Sequence, residues 1–158
     1  EGFNYSHMSV MHNVLTQIPQ VEKLVQVGAR DYSEAEWNYI QNSNGRIETY
    51  FDRSIKERQF GGENWKSIVE EIVNKLPQKV YISFDIDGLD PAYAPGTGTP
   101  VPGGIEWNYM VELLRELFKS KKIIGADIVE IAPGKEWPVD YGALTNAKRA
   151  KCGANATD

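Results

Sequence analysis

The 158 residues are 41% hydrophobic and 25% charged, the balance of one globular domain with an apolar core. A net charge of −5 and a pI near 5.1 argue against a nucleic-acid partner, which selects a basic face; they suit a small cationic ligand, drawn by weak steering. Cys152 is the sole cysteine, so an internal disulfide is excluded. Together with the lack of a signal peptide and of any apolar run near the ~20 residues that span a bilayer, this sets the expectation of a cytoplasmic, non-membrane protein.

The chain opens Glu-Gly-Phe-Asn-Tyr, with no initiator Met, and reads as a segment of a longer protein. Met11, Val14, Leu15 and Ile18 then repeat at helical spacing. Residues 23–28 read as a short strand ending in a glycine turn. Ser33 and Glu36 have the spacing of a capping box that opens a helix. Residues 46–51 form the next expected strand. Trp65, Ile68, Val69, Ile72 and Leu76 mark a strong helix stopped by Pro77, and residues 79–85 read as a buried strand. A long Gly/Pro-rich loop is expected over 86–104. Met110, Leu113, Leu114 and Leu117 define another helix, and 123–131 another strand. Residues 138–158 have few apolar positions at helical spacing and read as a weakly packed tail. Alternating strands and helices predict a mostly parallel sheet flanked by helices, an α/β/α sandwich built as a single domain over 1–158.

In such sheets ligands gather at the carboxyl ends of strands. Asp85, Asp87 and Asp90 fall there, within Ser-Phe-Asp-Ile-Asp-Gly-Leu-Asp-Pro at 83–91. Clustered carboxylates repel and cost desolvation unless a cation compensates them, which suggests a hard metal held through oxygen. Gly88 is expected to let the backbone turn so that Asp85 and Asp87 reach one point. The competing reading of an Asp-x-Asp pair is a solvated acidic turn, with Asp90 tying the loop to its own backbone. A calcium loop is disfavoured, because Gly88 falls at the fourth position and Pro91 interrupts the spacing.

The acidic segment is followed by Pro-Gly-Thr-Gly-Thr-Pro at 95–100 and Gly-Gly at 103–104. Taken together, these motifs resemble the signature of the ureohydrolases, the family of arginase and agmatinase. The resemblance implies the arginase-type three-layer α/β/α fold, here N-terminally truncated. It also implies two Mn²⁺ ions whose hydroxide attacks a guanidinium carbon, releasing urea and an amine. Asp85 would bridge the metals and Asp87 would complete the shell of one. Thr99 would stand close to the substrate. Glu130, after Asp127-Ile128-Val129, would grip the guanidinium as a two-pronged charge-assisted pair. His7 would serve in proton transfer, a task suited to an imidazole. Asp127 and Asp90 are expected to support structure, His12 to lie on the surface, and Trp65, Trp107 and Trp137 to pack.

The family's upstream ligands, a His in a glycine-rich segment and an Asp-x-His-x-Asp group, have no counterpart in these residues. Activity is therefore expected of the whole protein, and the segment alone is a candidate silent or assembly module. Arg30-Asp31 is followed by Tyr32 and Ser33, where arginase places an Asp, and Phe3 stands where arginase has a Ser. Both departures lean toward agmatine, which lacks an α-carboxylate; arginine and formimino substrates are the alternatives. Family resemblance also implies a homo-oligomer, a trimer or hexamer.

Overall fold

A computed structural model describes residues 4–132. The tail expected over 138–158 and Trp137 lie outside the described residues. Helix α1 spans Val10–Gln17 and buries only Leu15. Strand β1, Leu24–Val27, follows. Ser33 caps helix α2, Glu34–Gln41, with the reciprocal box its spacing predicts. The hydroxyl accepts from the Glu36 N–H at 3.2 Å, and the Glu36 carboxylate accepts from the Ser33 N–H at 2.7 Å. Two of the helix's orphan donors are thereby satisfied.

Strand β2, Ile47–Tyr50, runs straight into helix α3, Asp52–Phe60, which periodicity did not predict. Its sequence is almost entirely polar, and only Ile55 and Asp52 are buried, so no apolar stripe betrays it. The cues were helix-forming residues, an Arg53–Glu57 pair one turn apart and the Gly61-Gly62 stop. Helix α4, Trp65–Lys75, starts at Asn64, whose side chain accepts from the Ser67 N–H at 3.0 Å. It drives Ile68, Val69, Ile72 and Val73 into the core. Strand β3 covers Lys79–Asp85, helix α5 Trp107–Ser120 and strand β4 Lys122–Val129.

All strand pairing among the described residues is parallel, and α2 and α5 supply the crossovers that parallel neighbours require. The described strands form two pairs, β1–β2 and β3–β4, rather than one continuous ladder. The pairs are joined through the loop after β3, where the Gly104 N–H donates to Asp52 Oδ2 at 3.1 Å and the Arg30 guanidinium donates to Asp87 O at 2.6 Å. Strand β3 is not buried on both faces as expected. Val80, Ile82 and Phe84 turn inward, whereas Tyr81, Ser83 and Asp85 face outward, with Tyr81 56% exposed. The register slips after Val80, leaving Ile124 as the extra residue, 59% exposed. A side chain at Gly125 would stand 2.8 Å from the Tyr81 ring, so the bare backbone lets that ring lie across β4. Asp127 accepts from Ser83 Oγ at 2.7 Å and Tyr81 Oη at 3.1 Å on this same face, the supporting role expected of it.

The core gathers Tyr50, Ile55, Ile68, Ile72, Met110 and Leu113 with Ile86, Leu89 and Ile105 of the loop. The Trp65 ring stacks on Tyr109 at 5.1 Å, and its Nε1–H donates to Tyr109 O at 2.9 Å. The loop is thus packed into the core rather than draped over it.

Candidate functional site

Strand β3 delivers Asp85 to the carboxyl edge, where the chain enters a 3-10 turn at Ile86–Gly88. Asp85 caps that turn: its Oδ1 accepts from the Asp87 N–H at 3.0 Å. This capped turn sets Asp87 beside Asp85. Gly88, expected to supply the bend, has no left-handed backbone, and a side chain there would meet nothing within 4 Å. The need for glycine lies instead at Gly104, with φ +109°, where a Cβ would stand 2.6 Å from the Leu89 carbonyl carbon.

Thr99 Oγ1 donates to Asp87 Oδ2 at 3.2 Å. Glu130 comes directly after β4, whose Val129 is the register partner of Asp85. Its φ of 59° is left-handed, uncommon for a residue with a side chain and a pointer to function where it occurs. Its Oε2 lies 3.8 Å from where a Cβ on Gly98 would stand, and the Ala132 N–H donates to Gly96 O at 2.9 Å. The glycine-rich loop therefore crosses both strand ends and gathers Asp85, Asp87, Thr99 and Glu130. Asp90 ties the loop to itself, accepting from the Ala92 N–H at 2.8 Å. His7 is not part of this gathering. It is exposed beside Tyr5, Val10 and Val14, and among the described residues no hydrogen bond or ion pair links it to the carboxylates. His12 lies on the surface with its ring 5.3 Å from Tyr39.

Two residues that sequence reading passed over hold the loop from behind. Buried Asp52 accepts from the Gly104 N–H at 3.1 Å. Arg30 spans β1 and the loop, donating only to carbonyls. Asp52 sits outside any motif and Arg30 in a pair read only for substrate choice, and the loop partners of both lie 52 to 71 residues away.

Loss of hydrating water pushes the Asp85 carboxyl up to about 6, although one side of it remains open. The Asp87 N–H opposes this, while the charges of Asp87 and Glu130 add to it. No ion pair with lysine or arginine relieves these three carboxylates among the described residues. Crowded oxygen donors without a protein cation fit a hard metal in kind. In number they do not complete a centre: no cluster of three or more His, Cys, Asp or Glu side chains able to hold an ion occurs among the described residues.

The model of the Arginase family matches residues 1–148. The chain belongs to the arginase family. This arginase-family chain is 34% identical over 134 residues to the N(1)-aminopropylagmatine ureohydrolase of Synechocystis sp., covering 84% of the chain and 40% of that protein. It is 39% identical over 109 residues to the agmatinase of Klebsiella pneumoniae, covering 69% and 31%. In three dimensions it resembles the agmatine ureohydrolase of Thermoplasma volcanium, with a TM-score of 0.75 at 26% identity, over 97% of the chain and 47% of that structure. The fold is thus the arginase-type α/β fold, and the chain spans less than half the length of the curated relatives it matches.

Proposed function

We propose that this arginase-family chain is the carboxylate-bearing portion of a manganese-dependent ureohydrolase that cleaves a guanidino compound, agmatine first, to urea and an amine. The carrying observation is the meeting of Asp85, Asp87, Thr99 and Glu130 at adjoining strand ends under one glycine-rich loop. Asp85 and Asp87 would hold Mn²⁺ together with ligands from outside the described residues. When bound, the metal polarises water and makes a nucleophile available at neutral pH, which a resonance-stabilised guanidinium demands. Glu130 would pair with the guanidinium through two charge-assisted hydrogen bonds, held by its left-handed backbone. Thr99, anchored on Asp87, would orient the substrate beside the metal ligands. His7 would deliver a proton to the departing amine, as the family resemblance implies. The proposal includes a cytoplasmic homo-oligomer, trimeric or hexameric, with no nucleic-acid or membrane partner. No helix among the described residues is long and apolar enough to cross a membrane.

Agmatine is favoured over arginine because Tyr32 and Ser33 follow Arg30-Asp31, leaving no carboxylate there for an α-amino group. N(1)-aminopropylagmatine, named for three of the relatives, belongs in the same panel. The test is urea release by the full-length protein loaded with Mn²⁺, with these three guanidines compared. Agmatine is expected to be the best. Preference for arginine would overturn the substrate choice, and absence of urea from every guanidine would overturn the reaction.

A further inference from the structure

Arg30 lies just beyond the end of β1, after Gly28, whose backbone is left-handed at φ +89°. Its guanidinium is half-buried and meets main-chain carbonyls alone. One terminal nitrogen donates to Asp87 O at 2.6 Å and Val101 O at 3.1 Å. The other donates to Gly88 O and Gly28 O, each at 3.3 Å. Three of these four acceptors belong to the segment that carries the carboxylates, and the fourth to the β1 turn. Arg30 is therefore a tie between the two strand pairs, which share no ladder among the described residues. Gly103 is wedged against the same tie: a Cβ there would stand 3.3 Å from Arg30 Cδ and 2.8 Å from Asp52 Oδ2.

We propose that Arg30 is a positioning residue for the carboxylate site, acting through the Asp87–Gly88 backbone to fix Asp87 and, through it, Thr99. A flat guanidinium fork reaches four divergent carbonyls; a lysine ammonium, with three donors at one point, cannot. Without the fork, the carbonyls of Asp87 and Val101 lose a charge-assisted partner, and the 3-10 turn loses its support from β1. Asp87 Oδ2 and Thr99 Oγ1 then no longer share one fixed arrangement. The inference rests on the ureohydrolase reading for its metal, but the tie itself is a property of the loop.

Arg30→Lys and Arg30→Met in the full-length protein test it by two measurements. Hydrogen exchange on the metal-free protein should quicken at the 87–104 amides while those of β1–β2 and α4 hold their protection. Calorimetric Mn²⁺ affinity and turnover should fall roughly 10–100-fold, as when other supports of metal ligands are removed. Arg30→Lys preserves length and charge, so loss in that variant marks the fork geometry rather than unfolding. Unchanged exchange in the loop, or Mn²⁺ affinity equal to the unmodified protein in Arg30→Lys, would overturn the proposal. If the unmodified protein itself binds no Mn²⁺, the ureohydrolase reading fails, and the exchange measurement alone decides the role of Arg30.

Discussion

Asp85 and Glu130 lie in one small area on different backbones. Asp85 is the last residue of a strand and caps a turn; Glu130 follows a strand in a left-handed conformation. On the proposed reading, Asp85→Asn in the full-length protein removes metal and turnover together. Glu130→Gln retains the metal and weakens the guanidinium grip, since it removes one charge of the proposed charge-assisted pair. Manganese content beside urea release separates them; loss of metal in Glu130→Gln would overturn its assignment to substrate. The raised Asp85 carboxyl also sets a pH dependence in the metal-free protein. Its folded value of about 6 stands above the ordinary 3.8, so between these values the folded state binds more protons than the unfolded one. Stability from this group is then present at low pH and lost as pH rises through about 6. Between about pH 7 and pH 5, acidification should raise the melting temperature of the metal-free protein relative to its Asp85→Asn variant. A constant difference between the two would contradict the raised carboxyl.

Among the elements, α4 and α5 bind the strand pairs into one core and α2 is set by its cap. Ile72 is 1% exposed, and Ile72→Ala should cost about 2–5 kcal/mol through the cavity it leaves. Ser33→Ala removes a capping acceptor at an exposed helix start, for about 0.5–2 kcal/mol. Chemical denaturation should therefore place Ile72→Ala well below Ser33→Ala, and equal midpoints would mean that α4 is not the core element its burial implies. These two elements were legible in the sequence because a repeated apolar stripe and a capping box are local signals. Helix α3 was not, since one buried isoleucine cannot make a period. The loop's dependence on Gly104 was equally hidden among five glycines from 88 to 104 of which only contact geometry singles one out by its approach to Leu89.

For the molecule as a whole, the two donors that converge fall short of a two-metal set among the described residues. The isolated 158-residue chain is expected to bind no stoichiometric pair of Mn²⁺ ions tightly and to release no urea. Calorimetry finding two micromolar sites on it would contradict the ligand count. Its open β3–β4 face, with Tyr81, Ile124 and Val129 exposed, also predicts association that rises with concentration, because apolar surface beside strand edges invites pairing. By itself the sequence determined the α/β class, most element positions, the family and the candidate donors, because each is written in local periodicity or in a long contiguous motif. The tertiary structure alone decided that the described strands form two parallel pairs and that Arg30 and Asp52 hold the loop. These depend on contacts between segments distant in the chain, where a side chain's partner is set by how the whole chain packs and leaves no spacing to read.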